Sequence, residues 1–358
     1  MPSSPTELLP YLTRELPGIG GVLRSTDDDF VVDEVPMYAP SGTGDHVFVR
    51  IEKRGMNTIA AVGALARALG VAERDVGVAG MKDRHAVTRQ WLSLPPPIHP
   101  EQLQALSLDG ITVLETARHG HKLRTGHVRA NRFVLRVRGV APDAAERARA
   151  ILARLASPPG ALNWYGEQRF GRDGDNAARG LELVRGAARG RDRRRDRLMV
   201  SALQSQLFND WLRARLADGL YDRVLAGDIL HKIGGGMFEC EDPATDEARL
   251  RAGELVVTGP MFGERMRRPS AGTPAAEREL AILKAAGIEP GAFATVRAIA
   301  EGTRRDATIA VTEVTVAAAD VETLEVGFTL PGGAYATSVM REVTKTLPNR
   351  VDDTPQAA

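Results

Sequence analysis

The chain is 358 residues long, 43% hydrophobic and 26% charged, with a formal net charge of +1. That length suits two domains better than one, and no apolar run approaches the roughly 18 residues of a membrane span. The start Met1-Pro2-Ser3-Ser4-Pro5 lacks the basic and apolar regions of a signal peptide, so a soluble cytoplasmic protein is expected, and the lone Cys240 excludes an internal disulfide or a multi-cysteine zinc site.

The first element expected is a short helix from Glu7 to Leu16, closed by the turn Pro17-Gly18-Ile19-Gly20-Gly21. That glycine cluster is too short and wrongly spaced for a nucleotide fingerprint, and no cofactor is assigned to it. Strands follow from Val22 to Val35, where alternation puts Phe30, Val32 and Glu34 on one face. A Pro- and Gly-rich loop, Pro36 to Asp45, leads into a second alternating strand, His46 to Glu52, and the two read as an antiparallel pair. Asn57 or Thr58 caps a helix to about Leu69, with Ile59, Val62, Leu65 and Ala66 at helical spacing and Gly70 as its stop.

This helix delivers the chain to Val78-Ala79-Gly80-Met81-Lys82-Asp83-Arg84-His85-Ala86-Val87-Thr88-Arg89-Gln90-Trp91. A small-residue turn presents one carboxylate between two cations, and nearby opposite charge favours the ionised form. Asp83 placed in this way can serve as nucleophile or base, although Lys-Asp-Arg is also an ordinary solvated surface sequence.

From Arg118 to Arg138 there are seven cations and no acid, and from Ala177 to Arg197 eight arginines oppose three acids. Separated sign of this kind suits a polyanionic partner, or alternatively two solvated faces. Within the first stretch, the strand Arg129 to Gly139 places Asn131, Phe133, Leu135 and Val137 on one face and Arg132, Val134, Arg136 and Arg138 on the other. Phe133 reads either as a core ring beneath a basic outer face or as a ring against which an unstacked base packs, with Asn131 bonding beside it.

A helix near Ala144 to Ala156 and a Pro-Pro-Gly break precede Asn163-Trp164-Tyr165-Gly166-Glu167-Gln168-Arg169-Phe170-Gly171. Its aromatic, Gln and Arg residues suit nucleic-acid contact and equally an aromatic core edge. A helix through Ser201 to Asn209 follows, then strand-and-turn pieces around Ala226 to Leu230 and Thr258 to Gly263, and a helix opened by Thr273-Pro274 and stopped near Gly287. Alternating strands return at Ala307 to Val316 and Leu324 to Thr329, and the residues from Pro348 onward read as a disordered tail.

The run Ala79-Gly80-Met81-Lys82-Asp83-Arg84-His85-Ala86-Val87-Thr88-Arg89-Gln90 resembles the signature of the TruD family of tRNA pseudouridine synthases. The segments Ala130-Asn131-Arg132-Phe133, Asn163 to Gly171, Ser201 to Asn209 and Pro331 to Glu342 resemble further family blocks in the same order. The resemblance implies an α+β fold, with a mixed, mainly antiparallel sheet and flanking helices, and an inserted α/β domain. Residues 1–160 and 306–347 would form the catalytic domain and 161–305 the insertion. It implies a cofactor-free, metal-free isomerase acting on uridine, uridine-13, in tRNA, with no protein partner and a monomeric state. Asp83 would be the catalytic residue, Arg24 its cation in preference to the neighbouring Lys82, and Phe133 the ring packed on uracil. Asn131, Lys82, Glu34, Gln168, Arg169, Phe170 and Arg132 would contact substrate.

Two other classes remain open on the residues. A non-catalytic RNA-binding or chaperone protein would use the same basic surface and tolerate Asp83→Asn. An Asp-dependent hydrolase would need a second carboxylate near the first, and Glu34 is the candidate. The seven histidines form no paired ligand pattern, and His119 and His121 are expected to face RNA or solvent.

Overall fold

Period-two alternation dominates the first third of the chain, and strands are what it builds. The structure, a computed structural model, describes residues 9–171, 173–187 and 192–346, with the Gln168 side chain outside that set. In chain order the elements are β1 (Gly20–Leu23), β2 (Phe30–Pro36), β3 (His46–Arg54), α1 (Thr58–Leu69), β4 (Gly77–Val78), β5 (Val87–Leu94), α2 (Pro100–Gln104), β6 (Ile111–His119), β7 (Val128–Val140) and α3 (Ala144–Ala156). There follow β8 (Ala161–Leu162), α4 (Asn176–Val184), α5 (Arg193–Ala217), β9 (Ile229–Lys232), β10 (Met237–Glu239), α6 (Pro243–Arg251), β11 (Leu255–Met261), α7 (Pro274–Ala285), β12 (Thr303–Asp306), β13 (Thr308–Ile309), β14 (Thr312–Ala318), β15 (Thr323–Pro331) and α8 (Ala336–Thr344).

Contacts divide the chain into two compact units. Among the described residues, one comprises 15–153, 311–336 and 340–346, the other 9–14, 154–310 and 337–339. The first holds a nine-stranded sheet of order β14-β15-β7-β2-β5-β3-β6, with β1 added to β7 and β4 to β5. Its pairs are antiparallel except β2 with β5, which is the mixed, mainly antiparallel arrangement expected. The second unit carries the four-stranded sheet β10-β9-β11-β12 around the 25-residue helix α5, most of whose middle is buried. A fork of two bonds from Arg215 to Asp228, at 3.1 and 2.8 Å, lies inside it. Cys240 is buried there too, its thiol pushed up to about 12 by burial and by a hydrogen bond to Asp246.

Two expectations fail. From residue 9 onward the helix foreseen over Glu7 to Leu16 is replaced by a turn, because Pro10 lacks a donor and Pro17 restricts Leu16, leaving too few residues between them to nucleate a helix. The second failure concerns β2 and β3, which do not pair. Between them runs β5, parallel to β2 and antiparallel to β3. Seven of the eight β5 residues are buried, and a strand buried on both faces belongs in the middle of a sheet, not at its edge. The tail from Pro348 lies outside the described residues.

Helix α1 lies on the face formed by Val47, Val49 and Ile51 of β3 and Leu92 and Leu94 of β5, burying Ala61, Val62, Leu65 and Ala66. Asn57 fixes its start by accepting from the Ala60 amide at 2.8 Å, and Gly70, in the left-handed region at φ 67°, ends it. Asn57→Ala should cost about 1 kcal/mol, read as a lower denaturant midpoint at unchanged slope.

Candidate active site

Register across the sheet shows why distant residues meet. Phe328, Phe133, Val32, Thr88 and Lys53 are successive partners on β15, β7, β2, β5 and β3. Two residues along, Leu330, Asn131 and Glu34 are partners in the same way, and Gln90 partners Ile51. Side chains two apart on a strand share a face, so one face of the sheet carries Phe133, Asn131, Glu34, Thr88, Gln90 and Lys53. Under α1 this face is apolar, and at the end where α1 begins it turns polar.

The turn bearing Asp83 crosses that polar end. It has no ladder or helix to satisfy its backbone, and side chains do so instead. The Lys82 amide donates to Thr58 Oγ1 at 2.8 Å, and that hydroxyl donates to Gln90 Oε1 at 3.0 Å. Lys53 Nζ donates to the Asp83 carbonyl at 2.7 Å and the Met56 carbonyl at 2.5 Å. The Asp83 side chain itself points outward, half exposed, and accepts from Arg24 at 3.0 Å. Arg24 directly follows β1 and sits at φ 60°, a region that costs a side-chain-bearing residue roughly 1–2 kcal/mol. Its guanidinium lies 3.9 Å from the centre of the Phe30 ring, and Phe30 meets Phe133 edge-on at 6.2 Å. A chain of contacts therefore runs from Phe133 through Phe30 and Arg24 to Asp83.

Lys82 goes elsewhere. Its ammonium pairs with Glu34, whose second oxygen accepts from the Trp91 amide at 3.2 Å, and both side chains are buried. Asn131 Oδ1, Gln90 Nε2 and Thr88 Oγ1 are buried on this face with no hydrogen-bond partner among the described residues.

Comparison with known proteins places the chain in a family. The family model described as tRNA pseudouridine synthase D (TruD) matches residues 8–190 and 184–343. The chain belongs to the tRNA pseudouridine synthase D family. It is 52% identical over 348 residues to the tRNA pseudouridine synthase D of Anaeromyxobacter dehalogenans (strain 2CP-C), covering 94% of this chain and 96% of that one. Against a protein of the same name from Thermus thermophilus it is 42% identical, covering 95% and 93%. The crystal structure of a putative tRNA pseudouridine synthase D from Methanosarcina mazei shares the fold at a TM-score of 0.73 and 22% identity, over 95% of this chain and 96% of that one.

Set against the family signature, the remaining sequence expectations sort as follows. Glu34 and Lys82, expected to contact substrate, neutralise each other inside the sheet unit, and a carboxylate so enclosed is no second acid for a hydrolase. Phe133 is buried at 6% exposure between Phe30 and Phe328. Arg132 is on the opposite, exposed face, paired with Glu313 at 3.0 Å. In the other unit, Arg169 donates to Ser205 at 3.0 Å and to Ser201, while Phe170, Trp164 and Tyr165 are core residues. These three rings take the core reading of their block and leave no ring face for a base. The Gln168 side chain lies outside the described residues.

Much of the basic patch is also neutralised. Arg136 pairs with Glu325 at 3.1 Å and Arg138 with Asp29 at 2.6 Å. Burial alone would raise the Asp29 carboxyl, but the Arg138 guanidinium and the Thr26 amide hold it below its ordinary range. Arg185 and Arg193 donate to carbonyls of their own unit, and Arg189 and Arg191 lie outside the described residues. His119, expected to face RNA or solvent, is instead buried between Tyr38 and Phe48 and accepts from the Ser41 amide at 3.1 Å, and burial holds its imidazole pKa below the ordinary value. Among the described residues no group of three or more His, Cys, Asp or Glu is placed to hold a metal, and no helix is long and apolar enough to cross a membrane.

Three contributors escaped the sequence reading: Lys53, Thr58 in its bonding role, and Phe30 as the seat of Arg24. A signal existed for Lys53, which falls at the inward parity of Val47, Val49 and Ile51, where an ammonium needs a reason to be. Lys82→Met should leave Glu34 buried with the Trp91 amide as its remaining donor, lowering stability by about 3–5 kcal/mol, as measured by thermal and denaturant unfolding.

Proposed function

We propose that this protein converts a uridine of tRNA to pseudouridine, the resemblance pointing to uridine-13, with Asp83 as the catalytic carboxylate. The observation that carries the reading is the half-exposed Asp83 side chain held by Arg24 at 3.0 Å within the family's signature turn. The C1′–N1 bond of the nucleoside breaks, uracil turns, a C1′–C5 bond forms, the C5 proton leaves and N1 takes one up. Nothing is oxidised and no group is imported.

Asp83 supplies the electron pair, as nucleophile or as base at the ribose. Arg24 orients the carboxylate, and its own position is set by the left-handed turn and by the Phe30 ring. Uridine reaches the carboxylate only after leaving its stack, at a cost of a few kcal/mol. Phe133, buried but continuous with Phe30, is the apolar floor for the uracil, and the unpartnered Asn131 oxygen is an acceptor for it. Segments 1–160 and 306–347 act as the catalytic domain and 161–305 as an inserted one.

The test is tritium release from tRNA labelled at uridine C5, with no cofactor added. Wild type should release label, Asp83→Asn should lower the rate by roughly 10²–10⁴-fold, and changing uridine-13 to cytidine should abolish release. Tight tRNA binding with no release from several tRNA species would reject the enzyme reading in favour of a binding protein. Arg24→Gln should reduce kcat by about 10²-fold with binding little changed, resolved by single-turnover rates against filter-binding affinities.

A further inference from the structure

We propose that Lys53 is a positioning residue of the reaction: its buried ammonium, bonded to the carbonyl of Asp83 itself, holds the turn so that the carboxylate faces the substrate. This rests on the catalytic role proposed above for Asp83.

Lys53 is fully buried, and its partners are two backbone carbonyls, Met56 at 2.5 Å and Asp83 at 2.7 Å. Among the described residues no carboxylate bonds to it, which is an expensive way to bury a lysine if the only aim is stability, since desolvating an ammonium costs several kcal/mol. A methionine would fill the same volume at that apolar parity without the penalty. What the ammonium does that methionine could not is tie two irregular segments together: the loop entering α1 and the turn of Asp83. Thr58, at the start of α1, holds the adjoining Lys82 amide, so consecutive residues of the turn are gripped, one from the helix and one from the sheet, and the Asp83 side chain is left to point outward to Arg24.

The charges facing the ammonium are few. The Asp83 and Asp27 carboxylates favour its charged form and the Lys82 ammonium disfavours it, while its register partners Thr88 and Ile111 are uncharged. Burial dominates and brings Lys53 down to about 8. Below that pH the charged form grips both carbonyls and adds positive potential behind Asp83. Above it the amine retains hydrogens but not charge, and both effects weaken.

The experiment compares wild type, Lys53→Met and Asp83→Asn in tritium release from labelled tRNA under saturating substrate, from about pH 6 to about pH 10. Lys53→Met should be folded by its melting transition, keep KM within about twofold, and lose about 10²-fold in kcat. Wild-type kcat should fall through about pH 8, and this alkaline fall should be missing from Lys53→Met. Retention of wild-type kcat by the variant, or a slower variant with the alkaline fall intact, overturns the proposal, because a merely structural lysine would not move that limb. If the variant does not fold, wild-type single-turnover rates decide: a decline near pH 8 supports the proposal, and a flat profile overturns it. Failure of the underlying reading looks different, since wild type would then release no label at any pH, or Asp83→Asn would release as much as wild type.

Discussion

A turn with no regular structure must still satisfy its backbone, and that constraint organises this site. Buried amides and carbonyls left unpaired each cost about 1–3 kcal/mol, so residues 82 and 83 can cross the sheet only where side chains stand in for a ladder. Thr58 and Lys53 are those side chains. Lys53 is placed by the register of β3, whereas Thr58 depends on Asn57 starting α1 at one residue, because a helix begun elsewhere would carry Thr58 away from the turn. The apolar contact of α1 with β3 and β5 then fixes the height of the turn above the sheet, and core packing becomes site geometry.

Charge is sorted by the same frame. The signature places Lys82 and Arg84 on either side of Asp83, yet neither gives it a salt bridge among the described residues. Lys82 turns inward to Glu34, and the outward carboxylate is met by Arg24 from just beyond the end of β1. The sorting follows from direction: successive side chains on an extended segment diverge, so the inward one needs a buried counter-ion and the outward one a partner arriving across the surface. Enclosing Glu34 in this way removes the second carboxylate that a hydrolase reading of Asp83 had as its candidate.

Local elements were legible wherever one short-range rule decided them. Asn57 and Gly70 bound α1 as read, and alternation assigned the faces of β2 and β7 correctly. What alternation cannot supply is which strand lies beside which: β5, with Val87 and Trp91 on one face and Leu92 and Leu94 on the other, is buried on both and came between β2 and β3, a placement decided only when all strands compete for the sheet centre. The charged stretches misled for a related reason. The arginines of β7 look unopposed over twenty residues of sequence, whereas their acids, Glu313, Glu325 and Asp29, arrive from more than a hundred residues away. The Arg24 to Asp83 pair spans 59 residues and became an expectation through the family resemblance, not through spacing.

Several departures from ordinary packing rules lie on or beside one face of the sheet unit. There Arg24 holds a left-handed backbone, a lysine is buried on carbonyls, and Thr88, Gln90 and Asn131 present unpartnered polar atoms. Each is unfavourable taken alone, by roughly 1–3 kcal/mol, and strands packed for stability would have replaced them with apolar side chains. Strain and unused hydrogen-bonding capacity persist where the surroundings over-determine them, and such places tend to be functional. The rigid apolar half of the same face, from Val47 to Ile51 under α1, is what keeps the polar half from relaxing. A single sheet face thus divides into a part that supplies stability and a part that uses it, and Asp83 stands on the second.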